Sequence, residues 1–225
     1  MVTAEKSDNP LLALFGPPSD YPRGVTLFRQ GEPSRWLFMI DTGMVKLTRS
    51  DDGGREIIVN LRARGSLVGS ASAVTGQPNV TTTSTVTPCT LRSLESDRFR
   101  AALTLDRAVS HFVHEVHAHE VRELVLRTAV SAKPAAERLK CLIAMFLKEG
   151  WVTSLQDGVR LHLPLTNEEL SQMVCVTREH LSRLLGDFDR RGVIRRDRSS
   201  LFIPSASPML RENDHRFRSA LGRPL

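Results

Sequence analysis

The sequence predicts an α+β chain: a strand-rich first half, one long helix, then a helix-turn-helix followed by a small β wing. Three observations carry this. Glycine-punctuated apolar runs recur through the first half at the roughly 8–12-residue spacing of a small sandwich, roll or barrel. Residues 104–130 contain neither Gly nor Pro. Between residues 166 and 190 a capped short helix, a three-residue break and a second helix follow one another.

The chain has 225 residues, and at roughly 100–150 residues per domain it holds two modest domains. With 40% hydrophobic and 25% charged residues the composition is that of a globular protein. No apolar run approaches the roughly 20 residues that span a bilayer, so no membrane partner is expected. MVTAEKSDNP lacks the basic and apolar regions of a secretory signal. Cys89, Cys141 and Cys175 are odd in number, far apart and form no CxxC, which points to a reducing cytoplasm.

Residues 1–20 read as a weakly organised segment with one apolar patch, LLALF. Strands are expected at VTLF (25–28), WLFMI (36–40), MVKLT (44–48), EIIVNL (56–61) and the β-branched run Val80 to Val86. In the long helix, Val109, Phe112, Val113 and Val116 recur at helical spacing, and Val121, Leu124 and Val125 continue on a shifted stripe. Some 25 helical residues span about 38 Å, too long for one small β domain, so this helix is expected to pair with a second copy. After Pro134 a helix over 135–148 places Leu139, Leu142, Ile143, Phe146 and Leu147 on one face. Trp151 to Leu163 reads as a hairpin turning at Asp157-Gly158. Val193-Ile194 and Leu201-Phe202-Ile203 are expected to pair as the wing, and the chain from Pro204 to read as a loose basic tail.

Thr166-Asn-Glu-Glu169 is a capping box, and Thr177 caps the helix from Arg178 to about Arg190. Leu181, Leu184, Leu185 and Phe188 form its inward stripe; Arg178, Glu179, Ser182 and Arg183 occupy the other side. A recognition helix meets base edges in the major groove with such residues near its amino end. Arginine can donate two parallel bonds to guanine O6 and N7, and glutamate can accept from cytosine N4. Net charge supports the reading: +6 overall, with +1 in residues 1–131 and +5 in residues 132–225. Arg190, Arg191, Arg195, Arg196 and Arg198 are the expected phosphate contacts, with Thr166, Thr177 and His180 at the helix starts. The expected partner is double-stranded DNA. No nucleophile elbow, P-loop, HExxH or paired-acid arrangement is present, so no enzymatic activity is expected.

The stretch TNEELSQMVCVTREHLSRLLGDFDRRGVI (166–194) resembles the carboxy-terminal helix-turn-helix of the bacterial cyclic-AMP receptor and fumarate-nitrate regulator (Crp/Fnr) superfamily. YPRGVTLFRQGEPSRWLFMIDTGMVKLT (21–48), GREIIVNL (54–61) and GSLVGSASAVTGQP (65–78) are similar to its β roll. The likeness covers roughly residues 21–204. It implies a jelly-roll-like sensor domain over 21–103, a dimerisation helix over 104–131, a winged helix-turn-helix over 132–204, and a basic tail over 205–225. It also implies a homodimer on a two-fold symmetric operator, with RNA polymerase as a further partner. Arg178, Glu179 and Arg183 match base-contacting positions of the cyclic-AMP branch; Glu179, Ser182 and Arg183 match the fumarate-nitrate reader. The half-site is therefore TGTGA-like or TTGAT-like. Cys175 stands where the family usually has glycine.

The family's nucleotide cassette uses Gly-Glu-Leu for the ribose and Arg-Ser-Ala for the cyclic phosphate. Here Gly69-Ser70-Ala71 and Asn79-Val80-Thr81 replace them, without the acid and the arginine. A buried phosphate would lack its cation, at a cost of several kcal/mol. Cyclic AMP in the usual pose is not expected; another effector, or none, is. With no cysteine before Cys89 and no histidine in the roll, neither an iron-sulfur cluster nor a haem is expected, and no cofactor is assigned. His111, His114, His117 and His119 read as a polar helix face, with no metal assigned. The competing reading is a β-roll regulatory or docking subunit without specific DNA binding.

Overall fold

Leu37 to Ile40 are buried on both faces of their strand, which is why the WLFMI run shows no polar alternation, while Trp36 at its start is exposed. The computed structural model describes residues 9–54, 56–148, 150–197 and 200–212, in two units, Met1–Val121 and Arg122–Leu225. In the first unit, strands β1 (Ser19–Tyr21), β8 (Cys89–Glu95), β3 (Trp36–Thr42) and β6 (Leu67–Val68) form one antiparallel sheet, in that order. Strands β2 (Thr26–Phe28), β7 (Thr82–Thr85), β4 (Met44–Ser50) and β5 (Glu56–Ala63) form the other. Phe38 and Ile40 of β3 point between the sheets, against Val45, Val68 and Leu91. Leu37 and Met39 point the opposite way, into a second cluster beneath the helices.

Three helices close that outer face: α1 (Ser70–Thr75), α2 (Ser96–Leu105) and the first half of α3 (Arg107–Ser131). Phe99 of α2 and Val109 and Val113 of α3 bury there. The helical stretch starts earlier than expected and is broken at Asp106, whose carboxylate accepts from Ala108 N and Val109 N at 2.8 and 3.3 Å and so caps α3. The apolar patch LLALF is also better ordered than expected. It forms a 3₁₀ turn, Leu12–Leu14, and Leu11 and Phe15 are buried in the same cluster. Burying two large apolar side chains outweighs the breaking tendency of the neighbouring prolines.

The second unit contains α4 (Ala135–Lys148), β9 (Val152–Leu155), β10 (Gly158–His162), α5 (Asn167–Val174), α6 (Arg178–Arg190), β11 (Arg195–Arg196), β12 (Ser200–Pro204) and α7 (Pro208–Glu212). Leu139, Leu142, Ile143 and Phe146 of α4 are buried, as are Leu181, Leu185 and Phe188 of α6. The four strands make one antiparallel sheet, β11-β12-β10-β9.

Three local expectations need correction here. The hairpin turns at Gln156-Asp157, because Leu155 pairs with Gly158 and glycine is already the first residue of β10. The wing strand is Arg195–Arg196 rather than Val193-Ile194; Ile194 is fully buried beneath the sheet edge. The chain beyond Pro204 is not loose at its start: Met209 is buried, and Ser207 Oγ donates to Val193 O at 2.7 Å. Residues 213–225 of the tail lie outside the described residues.

Candidate nucleic-acid interface and sensor cassette

Two caps and one left-handed residue build the helix pair. Thr166 Oγ1 accepts from Glu169 N at 3.2 Å, and Glu169 Oε2 accepts from Thr166 N at 2.8 Å, completing the capping box of α5. Thr177 Oγ1 accepts from His180 N at 3.2 Å and caps α6. The hydroxyls of Thr166 and Thr177 therefore act first as helix caps. Between them Cys175 has φ 55, and among the described residues it is the non-glycine residue with positive φ. Cys175 N donates to Gln172 O and Val176 N to Ser171 O, each at 3.0 Å. This is the bond pair of a Schellman motif, with cysteine where glycine is usual.

Arg178, Glu179, Ser182 and Arg183 are all exposed. With Gly186, Asp187 and Arg190 they line one shallow concavity along the outer face of α6. The structure thus brings the four expected base readers together on one stripe. Glu179 is held below the usual carboxylate range by a hydrogen bond from its own backbone N–H and by the Thr177 hydroxyl, with Arg178 and Arg183 adding to the effect. It is an anion at neutral pH, able to accept from a base amino group but not to donate. Arg190 is paired with Asp187 three residues back. Arg191, Arg195 and Arg196 are exposed; Arg195 stacks on Phe202, with Cζ 5.7 Å from the ring centre. His180 is half-buried at the start of α6. Arg198 lies outside the described residues.

In the first unit, Gly69 has φ 86 and precedes α1. A Cβ there would sit 3.1 Å from Trp36 O, so both backbone and space demand glycine. Ser70 is buried, and its Oγ lies 3.2 Å from His117 Nε2 of α3. Ala71 is exposed, Val80 is exposed and Thr81 is half-buried. Asn79 is only 3% exposed; its backbone exchanges bonds with Glu32 O and Gly31 N, while its Oδ1 has no partner. The four helix histidines do not share one face. His111 and His114 are exposed, with His111 Nδ1 3.6 Å from Glu115, whereas His117 turns to Ser70. No cluster of three or more His, Cys, Asp or Glu side chains able to hold a metal occurs among the described residues. Burial pushes the Cys89 and Cys141 thiols up from their ordinary value, which keeps them protonated and weakly reactive.

Arg138 of α4, which sequence reasoning did not single out, also belongs to this region. It reaches the α5–α6 turn, donating to Val174 O at 2.7 Å and to Cys175 O at 3.3 Å. A lone arginine one turn into an amphipathic helix carries no signal that separates it from a solvated one.

A capped helix pair with an outward Arg-Glu-Ser-Arg face beside a four-stranded wing sheet defines a helix-turn-helix DNA-binding protein, here joined to a β roll. Residues 18–106 match the cyclic nucleotide-binding domain family, and residues 139–208 match the Crp-like helix-turn-helix domain. The chain is 28% identical over 200 residues to the CRP-like cAMP-activated global transcriptional regulator of Mycobacterium tuberculosis, covering 86% of this chain and 87% of that protein. It is 28% identical over 193 residues to the global nitrogen regulator of a Synechocystis species, covering 80% and 85%. A transcriptional regulator of the CRP family from Thermus thermophilus has the same fold, with TM-score 0.74 at 20% identity, covering 87% of this chain and 96% of that one. The chain belongs to the Crp/Fnr superfamily of DNA-binding transcription regulators. No described helix is long and apolar enough to cross a membrane.

Proposed function

We propose that the protein is a homodimeric, non-enzymatic regulator that reads a two-fold symmetric operator through α6 without cyclic AMP in the usual pose. The observation that carries the reading is the exposed Arg178-Glu179-Ser182-Arg183 face on a doubly capped helix pair. Each good bidentate contact from it supplies about 1–3 kcal/mol of discrimination between bases. Arg190, Arg191, Arg195, Arg196 and Arg198 are assigned to phosphates, which set register without reading sequence.

Dimerisation is assigned to α3. Val121, Leu124 and Val125 are 62%, 61% and 65% exposed, unusual for three large apolar residues on neighbouring turns. Ala118, Val121, Val125 and Thr128 are all exposed and follow the alternating three- and four-residue spacing of a coiled-coil seam. The cassette offers Ser70 and Asn79 where a ribose and a cyclic phosphate would need an acid and a cation, and Ser70 already engages His117. One named relative is cAMP-activated and another is a global nitrogen regulator, so the family resemblance does not by itself assign an effector to this chain.

The test is selection of bound sites from a random duplex pool, with ligand-free protein and again with cyclic AMP. A two-fold symmetric motif in both arms is expected. A motif only with the nucleotide would overturn the reading of Ser70 and Asn79. No motif in either arm would favour a docking role for the second unit.

A further inference from the structure

Helix α3 ends at Ser131 and α5 at Val174, and the last carbonyls of any helix lack intrahelical donors. One side chain serves both ends. From the first turn of α4, Arg138 Nε donates to Val174 O at 2.7 Å and Nη2 to Cys175 O at 3.3 Å. Its Nη1 donates to Lys133 O at 2.7 Å and to Ser131 O at 3.3 Å. Four of the five guanidinium N–H groups are used, and the cation sits at the negative end of the α5 dipole. The bond to Cys175 O falls on the left-handed residue between α5 and α6. Cysteine does not adopt that conformation freely, so its surroundings must hold it. The Schellman bonds hold it from within the chain and Arg138 from outside.

We infer that Arg138 is a positioning residue for operator recognition. Its fork ties the end of α3 and the Lys133 loop to the α5–α6 turn, and so sets the angle at which α6 presents its base readers. The inference rests on the base-reading role of α6. The lever arm shows why angle matters. Arg183 lies about 9 Å along the helix from Thr177, so a tilt of about 10° moves it by roughly 1.5 Å. That is about three times the width of the favourable N–H···O range of roughly 0.5 Å. Long arginines contacting phosphates from the wing tolerate such a shift; bidentate base contacts do not.

Arg138→Lys keeps the charge and loses the planar fork, and Arg138→Met loses both. Wild type and variants are titrated with a duplex carrying the selected operator and with a scrambled duplex, well below each melting midpoint. The expected result is a fall of about tenfold in the operator-to-scrambled affinity ratio for both variants, with scrambled-duplex affinity and salt slope unchanged. Hydrogen exchange supplies a second readout: the Val176 amide should exchange faster in both variants, while amides in the β10–β12 ladder stay protected. A residue that only stabilises the unit would lower the melting midpoint and leave the ratio unchanged in the folded protein, and that result overturns the inference. So does an equal loss on both duplexes, or unchanged Val176 exchange. If wild type selects no operator, the base-reading role of α6 falls and the positioning role with it. If wild type selects one and the variants keep its ratio, the positioning role alone falls.

Discussion

Arg183 and Arg196 separate two kinds of contact that the same side chain can make. Arg183 lies on the outer stripe of α6 beside Arg178, Glu179 and Ser182, the residues proposed to read bases, whereas Arg196 lies on the exposed two-residue strand β11. Arg183→Ala should weaken operator binding by about 1–3 kcal/mol and relax guanine preference at one position. Arg196→Ala should weaken all duplexes similarly and reduce the salt slope by about 1. Competition titrations at two salt concentrations distinguish them; equal loss on every sequence would make Arg183 a phosphate contact. Cys175 supplies a second prediction at this scale. A left-handed non-glycine residue costs roughly 1–2 kcal/mol, and glycine returns about 0.5–1 kcal/mol of that as unfolded-chain entropy. Cys175→Gly should therefore stabilise by about 0.5–1 kcal/mol, read as a higher thermal midpoint. A lower midpoint would mean that the cysteine side chain makes a compensating contact. Residue chemistry was legible in the sequence where it followed from local spacing, as for the caps Thr166 and Thr177. It was not legible for Arg138, whose four acceptors come from positions 131 to 175.

Helices were easier to place from sequence than strand ends, for a physical reason. The stripe of α6 follows from its own 3.6-residue period, and Leu181, Leu185 and Phe188 are buried as that period requires. Strand ends depend on what lies across the sheet. Asp157-Gly158 carries favoured turn chemistry, yet the glycine serves a different need. At Gly158 a Cβ would lie 2.3 Å from Ile203 O and 2.8 Å from Phe202 Cζ, so β12 packs directly against it. Val159 pairs with Ile203, and a shift of that carbonyl would disrupt the ladder. Gly158→Ala should thus destabilise the second unit by about 1–3 kcal/mol, as overpacking does. Thr166→Ala should cost about 1 kcal/mol through loss of the cap. Denaturant midpoints at constant slope measure both; a neutral Gly158→Ala would show that β12 can move aside. The wing departs from its sequence pattern for the same reason: Val193-Ile194 looks like a strand in isolation, but Ile194 is needed in the core and pairing begins only at Arg195.

For the whole molecule, the question is what a single chain leaves unfinished. The first half of α3 buries Val109 and Val113 in its own unit, and beyond it Val121, Leu124 and Val125 stay exposed. That division matches the shifted stripe in the sequence: the first stripe packs within its own unit, and the second, exposed one is the face proposed above to meet a second copy. A lysine at Val125 would place like charges opposite each other across the proposed seam, with little to disturb within a chain where this side chain is already 65% exposed. Val125→Lys should therefore convert the dimer to monomer in sedimentation velocity at micromolar concentration while leaving the circular dichroism of the folded chain nearly unchanged, with the thermal midpoint lowered only by the lost stabilisation from the partner. Affinity for the two-fold operator should fall by about 100-fold or more, because the second half-site no longer binds at high effective concentration. Affinity for an isolated half-site should not change, since α6 is untouched. A variant that stays dimeric would move the interface off α3; one that becomes monomeric yet binds the full operator as before would show that each chain reads its half-site independently.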